Sequence, residues 1–164
     1  MVSIEKNITS VKQRIEQAAA QAGRDPNSIK LLAVSKTRPI NDIQVAYKAG
    51  LNALGENYVQ EATDKIKSLE TLGAEWHFIG PLQSNKTRPV TEHFDWVHSV
   101  DRIKIAKRLS EQRPEHLPPL NICLQINIDA EPSKSGALPE QAIDLALRVS
   151  QLPNVRLRGL MAIP

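Results

Sequence analysis

The sequence predicts an α/β fold, a (β/α)8 barrel of the TIM type. This chain of 164 residues would supply about six βα units of it behind an N-terminal helix. Two observations predict it. Short apolar runs alternate with amphipathic stretches of about a dozen residues, the rhythm of right-handed βαβ units around a parallel sheet. An open doubly wound sheet and a closed barrel share that rhythm, and the second observation favours the barrel. In the run from Asn121 to Asn127, Ile122, Leu124 and Ile126 fall on one face, and Cys123, Gln125 and Asn127 on the other. Strands of an open sheet covered by helices on both faces are apolar throughout, whereas a barrel strand turns a more polar face to the lumen and mouth.

The elements follow in order. An opening helix carries Ile4, Ile8, Val11, Ile15, Ala18 and Ala22 on one stripe and stops at Gly23. Leu31-Leu32-Ala33-Val34 reads as a buried strand, and Pro39 starts a second helix with Ile40, Ile43 and Ala46 inward and Gly50 at its end. Ala53-Leu54-Gly55 is a brief strand, and Val59, Ala62, Ile66 and Leu69 share a face of the helix after it. Strands at Trp76–Gly80 and Trp96–Val100 come next. Asp101 is placed to cap the following helix, which presents Ile103, Ala106 and Leu109. Asn121–Asn127 is the fifth strand, Pro139–Leu152 a helix with Ala142, Ala146 and Val149 inward, and Leu157–Ile163 the sixth strand. With no linker or low-complexity tract, residues 1–164 are expected to form a single domain.

Composition narrows the function classes. Lys and Arg number 21 against 18 Asp and Glu, a net charge of +3 that is too small and too mixed for a nucleic-acid footprint. One cysteine, Cys123, allows no internal disulfide and fits a reducing compartment. The first residues form no signal-peptide core and no stretch is apolar enough to span a bilayer, so a soluble, cytoplasmic protein with no membrane partner is expected. The four histidines show no metal-ligand spacing, and G-x-S-x-G, P-loop and G-x-G-x-x-G motifs are absent from the sequence.

Polar residues gather where the strands end: Ser35-Lys36-Thr37, Glu56-Asn57, Gly80-Pro81, and Asn127 with Ser133-Lys134-Ser135-Gly136 in the loop beyond. In parallel α/β folds the functional face lies at the strand C-termini. Lys36 leaves an apolar strand and points toward the mouth. Partial desolvation there would favour the free amine that imine formation requires, and the alternative is a lysine that snorkels to water. His77, between Trp76 and Phe78, reads as a ligand or as a hydrogen-bonded core histidine. Asn57 would contact a ligand ring or cap the next helix, and Met161 would wall a flat ring or fill the core. Lys86 and Arg88 would meet a phosphate or simply form a solvated face. Cys123 is expected to be a buried, unreactive thiol.

Several blocks carry a resemblance. Ala33-Val34-Ser35-Lys36-Thr37, Gly55-Glu56-Asn57-Tyr58-Val59-Gln60-Glu61 and Trp76-His77-Phe78-Ile79-Gly80-Pro81-Leu82-Gln83-Ser84-Asn85-Lys86 resemble the signature blocks of the pyridoxal phosphate homeostasis protein family. Ser133-Lys134-Ser135-Gly136 and Arg158-Gly159-Leu160-Met161-Ala162-Ile163-Pro164 match further blocks in the same order, so the resemblance spans essentially the whole chain. It implies the fold of the alanine racemase barrel domain (fold type III), with pyridoxal 5′-phosphate held as a Schiff base on Lys36. The expected cofactor-binding set is Lys36, Asn57, His77 and Met161, with no catalytic or metal-binding residue. The implied role is non-catalytic: intracellular homeostasis of vitamin B6 and amino-acid pools. Pyridoxal phosphate and apo-enzymes that need it are the expected partners, and the full-length protein is expected to be a monomer.

Members of the family run on for about a further third, adding strands seven and eight, whose loops form the phosphate cup of this fold. The sequence is therefore expected to represent a truncated domain, natural or a fragment, with strands one and six as open edges. Two other functions compete. A racemase or decarboxylase of the same fold type needs a catalytic group on the opposite ring face, and an interaction module would use Lys36 only structurally.

Overall fold

The structure, a computed structural model, describes residues 3–163; Met1, Val2 and Pro164, the last residue of the block that begins at Arg158, lie outside the described residues. Helices and strands alternate as α1 (Ile4–Gln21), β1 (Ala33–Val34), α2 (Ile40–Lys48), β2 (Ala53–Glu56), α3 (Val59–Ser68) and β3 (Glu75–Phe78). There follow α4 (Thr87–His93), β4 (Trp96–Val100), α5 (Ile103–Gln112), β5 (Leu120–Gln125), α6 (Ala142–Ser150) and β6 (Val155–Met161). All five strand pairings are parallel and the order is β1-β2-β3-β4-β5-β6, so the α/β class and the parallel sheet are as expected. The sheet is not closed: among the described residues β1 pairs with β2 alone and β6 with β5 alone.

The sheet is nonetheless strongly concave. Arg158 of β6 lies over the Trp96 ring of β4, 5.2 Å from its centroid, passing across β5. One cavity is bounded by residues following β2, β3, β5 and β6. A flat sheet, at roughly 4.8 Å per strand, would hold β2 and β6 about 19 Å apart.

The core lies between the convex face and the helices. Leu54, Trp76, Phe78, Val97, Ile122 and Leu124 pack there against Ile43, Ala62, Val90, Ile105, Leu109 and Val149. Phe78 and Phe94 meet edge to face with centroids 5.4 Å apart. Arg113, after α5, donates from Nη1 to the carbonyls of Thr91 (2.7 Å) and Phe94 (2.8 Å) and from Nε to Pro118 (2.8 Å). It satisfies carbonyls at the end of α4 and ties two helices together.

Several local expectations are corrected. Ala19 is buried on α1, whereas Ala18 and Ala22 are exposed, because the stripe continues four residues beyond Ile15. Ile40, expected inward, is exposed in the first turn of α2. Leu31–Val34 is not a buried strand: only Ala33 and Val34 are in β1, and Val34 is 51% exposed, since the strand has a neighbour on one side only. Asp101 does not cap α5; its carboxylate pairs with Arg102, the residue at the cap position. Helix α4, which begins between Lys86 and Arg88, has no counterpart among the elements expected from the sequence. Its seven residues include one large aliphatic side chain, Val90, too little to show a period.

Candidate functional site

Because all six strands run parallel, their C-terminal ends share one side, and each expected end residue follows its strand by one or two positions: Lys36, Asn57, Gly80, Asn127 and Ile163. Register sets their heights. Val34 pairs with Gly55 and Gly55 with His77, so Lys36, Asn57 and Ile79 stand level, one layer above Val34, Gly55 and His77. Ser35 faces α3, where its hydroxyl donates to Glu56 Oε1 at 2.6 Å, and Lys36 follows in a turn closed by the Arg38 N–H donating to the Ser35 carbonyl at 3.1 Å.

The turn that carries Lys36 is tied on both sides. Lys65 Nζ, from α3, donates to the Ser35 carbonyl (2.7 Å), to Glu56 Oε1 (2.9 Å) and to Glu61 Oε1 (2.6 Å). Glu61 Oε1 also accepts from the backbone N–H of Thr37 at 2.7 Å, and the Lys65 hydrogen bond together with this one holds its carboxyl below the usual range. Glu56 is fully buried and the Lys65 side chain nearly so. Thr37 has φ 62°, a left-handed conformation that costs a β-branched residue energy and persists only where neighbours impose it. Lys36 itself is exposed, so the partial desolvation expected of it is not found.

A cavity of about 250 Å³ opens at the strand ends, near the lower limit typical of small-molecule sites, and is lined by Asn57, Ile79, Pro81, Gln125, Asn127 and Lys134 among others. Asn57 Oδ1 is buried and has no hydrogen-bond partner among the described residues. It does not cap α3, whose cap position is Tyr58. Gly80 packs against the Asn57 backbone so closely that a Cβ would sit 2.7 Å from Asn57 Cα and closer still to its carbonyl oxygen. Across the cavity, Asn127 holds the 128–136 loop: Nδ2 donates to the carbonyls of Glu131 (2.8 Å) and Lys134 (3.3 Å), and Oδ1 accepts from Glu131 N–H. Lys134, on the wall, pairs with Glu131 at 3.2 Å. Met161 is half-buried beside Gln125 in register, and its carbonyl accepts from Ile126 N–H at 2.8 Å.

His77 lies a layer lower, 3% exposed, and is not among the cavity-lining residues. Its Nε2–H donates to Glu75 Oε1 at 2.7 Å, which leaves Nδ1 of the neutral ring to accept from His98 Nε2–H at 2.8 Å. The ring stacks on Trp96 at 5.3 Å between centroids. Burial lowers both histidines, His98 to about 4 with help from the neighbouring His77, so the contact with Glu75 is a neutral hydrogen bond rather than an ion pair. Burial pushes the Glu75 carboxyl up, but bonds from Lys30 and His77 outweigh it and hold it below the usual value. The histidine pair and the Glu56–Lys65–Glu61 cluster escaped the sequence reading, since neither has a spacing signature. Lys86 and Arg88 flank the start of α4, and Lys86 lines a separate groove between α3 and α4. Among the described residues no three His, Cys, Asp or Glu side chains are grouped to hold a metal, and no helix is long and apolar enough to cross a membrane.

A parallel α/β sheet with its polar cavity at the strand C-termini is the arrangement of α/β proteins that bind small molecules at that face. The family described as "Alanine racemase, N-terminal domain" matches residues 4–164. A pyridoxal phosphate homeostasis protein of Pseudomonas aeruginosa is 62% identical over 164 residues, covering 100% of this chain and 71% of the relative. The PipY protein of Synechococcus elongatus, solved with pyridoxal phosphate bound, superposes with a TM-score of 0.76 at 41% identity, over 92% of this chain and 70% of that one. A crystal structure of a Bifidobacterium adolescentis protein of unknown role superposes at 0.91 with 36% identity, over 98% of this chain and 69% of that one. The chain belongs to the pyridoxal phosphate homeostasis protein family.

Proposed function

We propose that this protein binds pyridoxal 5′-phosphate at the mouth of the sheet and serves intracellular homeostasis of vitamin B6 and amino-acid pools without catalysing a reaction of its own. The observation that carries this is the Asn57 amide oxygen, a buried acceptor with no partner among the described residues, on a residue that lines the cavity at the end of β2, the strand paired with the one that leads into Lys36. An acceptor left bare in this way costs about 1–3 kcal/mol, which a donor on a bound ligand recovers. The residues present suit the cofactor's ring and aldehyde: an amine on a fixed turn, amide groups from Asn57, Gln125 and Asn127, and apolar walls from Ile79 and Pro81. The cofactor's aldehyde, when bound, supplies an electrophile for the Lys36 amine, giving a Schiff base.

Asn57 and Met161 would bound the ring from β2 and β6. His77, with both nitrogens already engaged, would act from below by keeping the floor of the site rigid. Support also comes from the pyridoxal phosphate bound to PipY and from the role named for the Pseudomonas relative. Residues 1–164 then act as one cofactor-binding unit. A cytoplasmic monomer that passes cofactor to apo-enzymes completes the proposal.

Lys134 is the rival amine, since it lines the cavity and Lys36 does not. Lys36 is favoured because it sits on a turn held by hydrogen bonds at both Ser35 and Thr37, while Lys134 is occupied by Glu131. Borohydride reduction of the protein with pyridoxal phosphate should label the Lys36 peptide, and Lys36→Ala should abolish that label. No turnover of alanine, serine or ornithine is expected. A label mainly on Lys134, or turnover of any of the three, would overturn the proposal.

A further inference from the structure

We infer that Glu56 is a positioning residue for Lys36: its buried carboxylate, acting through Ser35 and Lys65, sets the turn from which the lysine amine reaches the cofactor. The inference rests on the assignment of Lys36 as the cofactor lysine.

Glu56 ends β2 with no solvent exposure, on the helix side of the sheet and so on the opposite face from the cavity. It touches nothing at the mouth. A buried carboxylate is expensive, and its usual justification is a tightly bonded partner. Here one oxygen, Oε1, takes two donors, Ser35 Oγ at 2.6 Å and Lys65 Nζ at 2.9 Å. Lys65 in turn grips the Ser35 carbonyl, so residue 35 is held by its side chain and by its backbone. Ser35 N–H donates to Gly55 O at 2.8 Å, which fixes the same residue to the strand. Two positions on, Thr37 N–H is held by Glu61, the other carboxylate on Lys65. Lys36 is the one residue between these anchors. Thr37 occupies a left-handed conformation at φ 62°, so the turn is constrained rather than relaxed, and the constraint comes from the Glu56–Lys65–Glu61 cluster.

For a surface lysine that only snorkels, such a cluster has no purpose. For an amine that must meet an aldehyde carbon, it fixes the direction of the Cα–Cβ bond. In the condensation the Nζ–C bond forms, the aldehyde oxygen leaves as water, and the amine gives up two protons. Neither Glu56 nor Lys65 takes part in that chemistry.

The test compares the protein with its Glu56→Gln, Ser35→Ala and Glu61→Gln variants and uses two ligands. Pyridoxal phosphate reports imine formation through its yellow band and through borohydride labelling of the Lys36 peptide. Pyridoxine phosphate has an alcohol in place of the aldehyde and reports the pocket alone. Glu56→Gln should weaken imine formation at Lys36 at least tenfold while leaving pyridoxine phosphate affinity within twofold. Ser35→Ala and Glu61→Gln, milder changes that keep the Lys65–Glu56 pair, should each give a smaller loss of the same kind. They decide the matter if Glu56→Gln fails to fold. Loss of both ligands in parallel would mean a purely structural role and overturn the inference. Unchanged imine formation in all variants would overturn it while leaving the cofactor assignment intact. Absence of a Lys36 label in the unmodified protein would remove that assignment and the inference with it.

Discussion

Gly80→Ala joins the fold to the site in a single methyl group. Gly80 lies two residues past β3, against the backbone of Asn57 at the end of β2. A Cβ there would stand 2.7 Å from Asn57 Cα and 2.9 Å from its carbonyl carbon, whereas ordinary contact begins near 3.4 Å. The three nearest atoms are all backbone, so no rotamer change relieves the clash, and the two strand ends must separate by more than about half an ångström. Overpacking of this kind costs about 1–3 kcal/mol. For a chain of this length each kcal/mol lowers Tm by about 2–4 °C, so Gly80→Ala should melt roughly 2–12 °C lower. The displaced residue is Asn57, which lines the cavity and carries a buried oxygen with no partner among the described residues, and ligand sites tolerate only about 0.5 Å of misplacement. Pyridoxal phosphate affinity should therefore fall about tenfold or more. Thermal unfolding followed by circular dichroism and a visible-absorbance titration measure the two effects. An unchanged Tm together with unchanged affinity would refute the close-approach reasoning; a lower Tm with unchanged affinity would remove Asn57 from the site.

Other expected outcomes follow from packing and charge. Arg113→Met leaves three carbonyls, of Thr91, Phe94 and Pro118, without their donors; at about 1–3 kcal/mol for each buried unsatisfied group, a loss of about 3 kcal/mol or more should appear in urea unfolding, with Arg113→Lys intermediate. His98 is held near 4 in the folded state and titrates near its ordinary value when unfolded. Its contribution is complete above about pH 6.5 and is lost as pH falls from there through about 4. His98→Gln should flatten Tm across that window, and an identical pH profile for the two proteins would exclude His98 as its source. Burial raises the Cys123 thiol, against a weaker opposing pull from Arg158, so labelling of the half-buried cysteine at neutral pH should be much slower than that of a free thiol.

Periodicity makes most of the architecture legible in the sequence. The alternation of Ile122 and Leu124 with Cys123 and Gln125 is realised as a strand whose apolar side is fully buried under the helices and whose polar side reaches the cavity. The strand ends at Lys36, Asn57, Gly80 and Asn127 were legible for a related reason. Polar and turn-forming residues cannot continue an apolar ladder, so they mark where each strand stops. Helix α4 was not legible, because a seven-residue helix with one large aliphatic residue has no measurable period.

What the sequence determined by itself is therefore the parallel α/β class, the side of the sheet on which function gathers and, through whole blocks of residues, the family. What only the tertiary structure decided is which side chains meet. The Glu56–Lys65–Glu61 cluster joins two strand ends to α3, and the His77–His98 pair spans β3 and β4. Each contact depends on register and on the concavity of the sheet, both products of packing long-range elements together, and no local window of sequence encodes such geometry. The same holds for exposure. Val34 reads as part of a buried strand, yet it lies 51% exposed on an edge strand, because burial belongs to the neighbours a residue has and not to the residue alone.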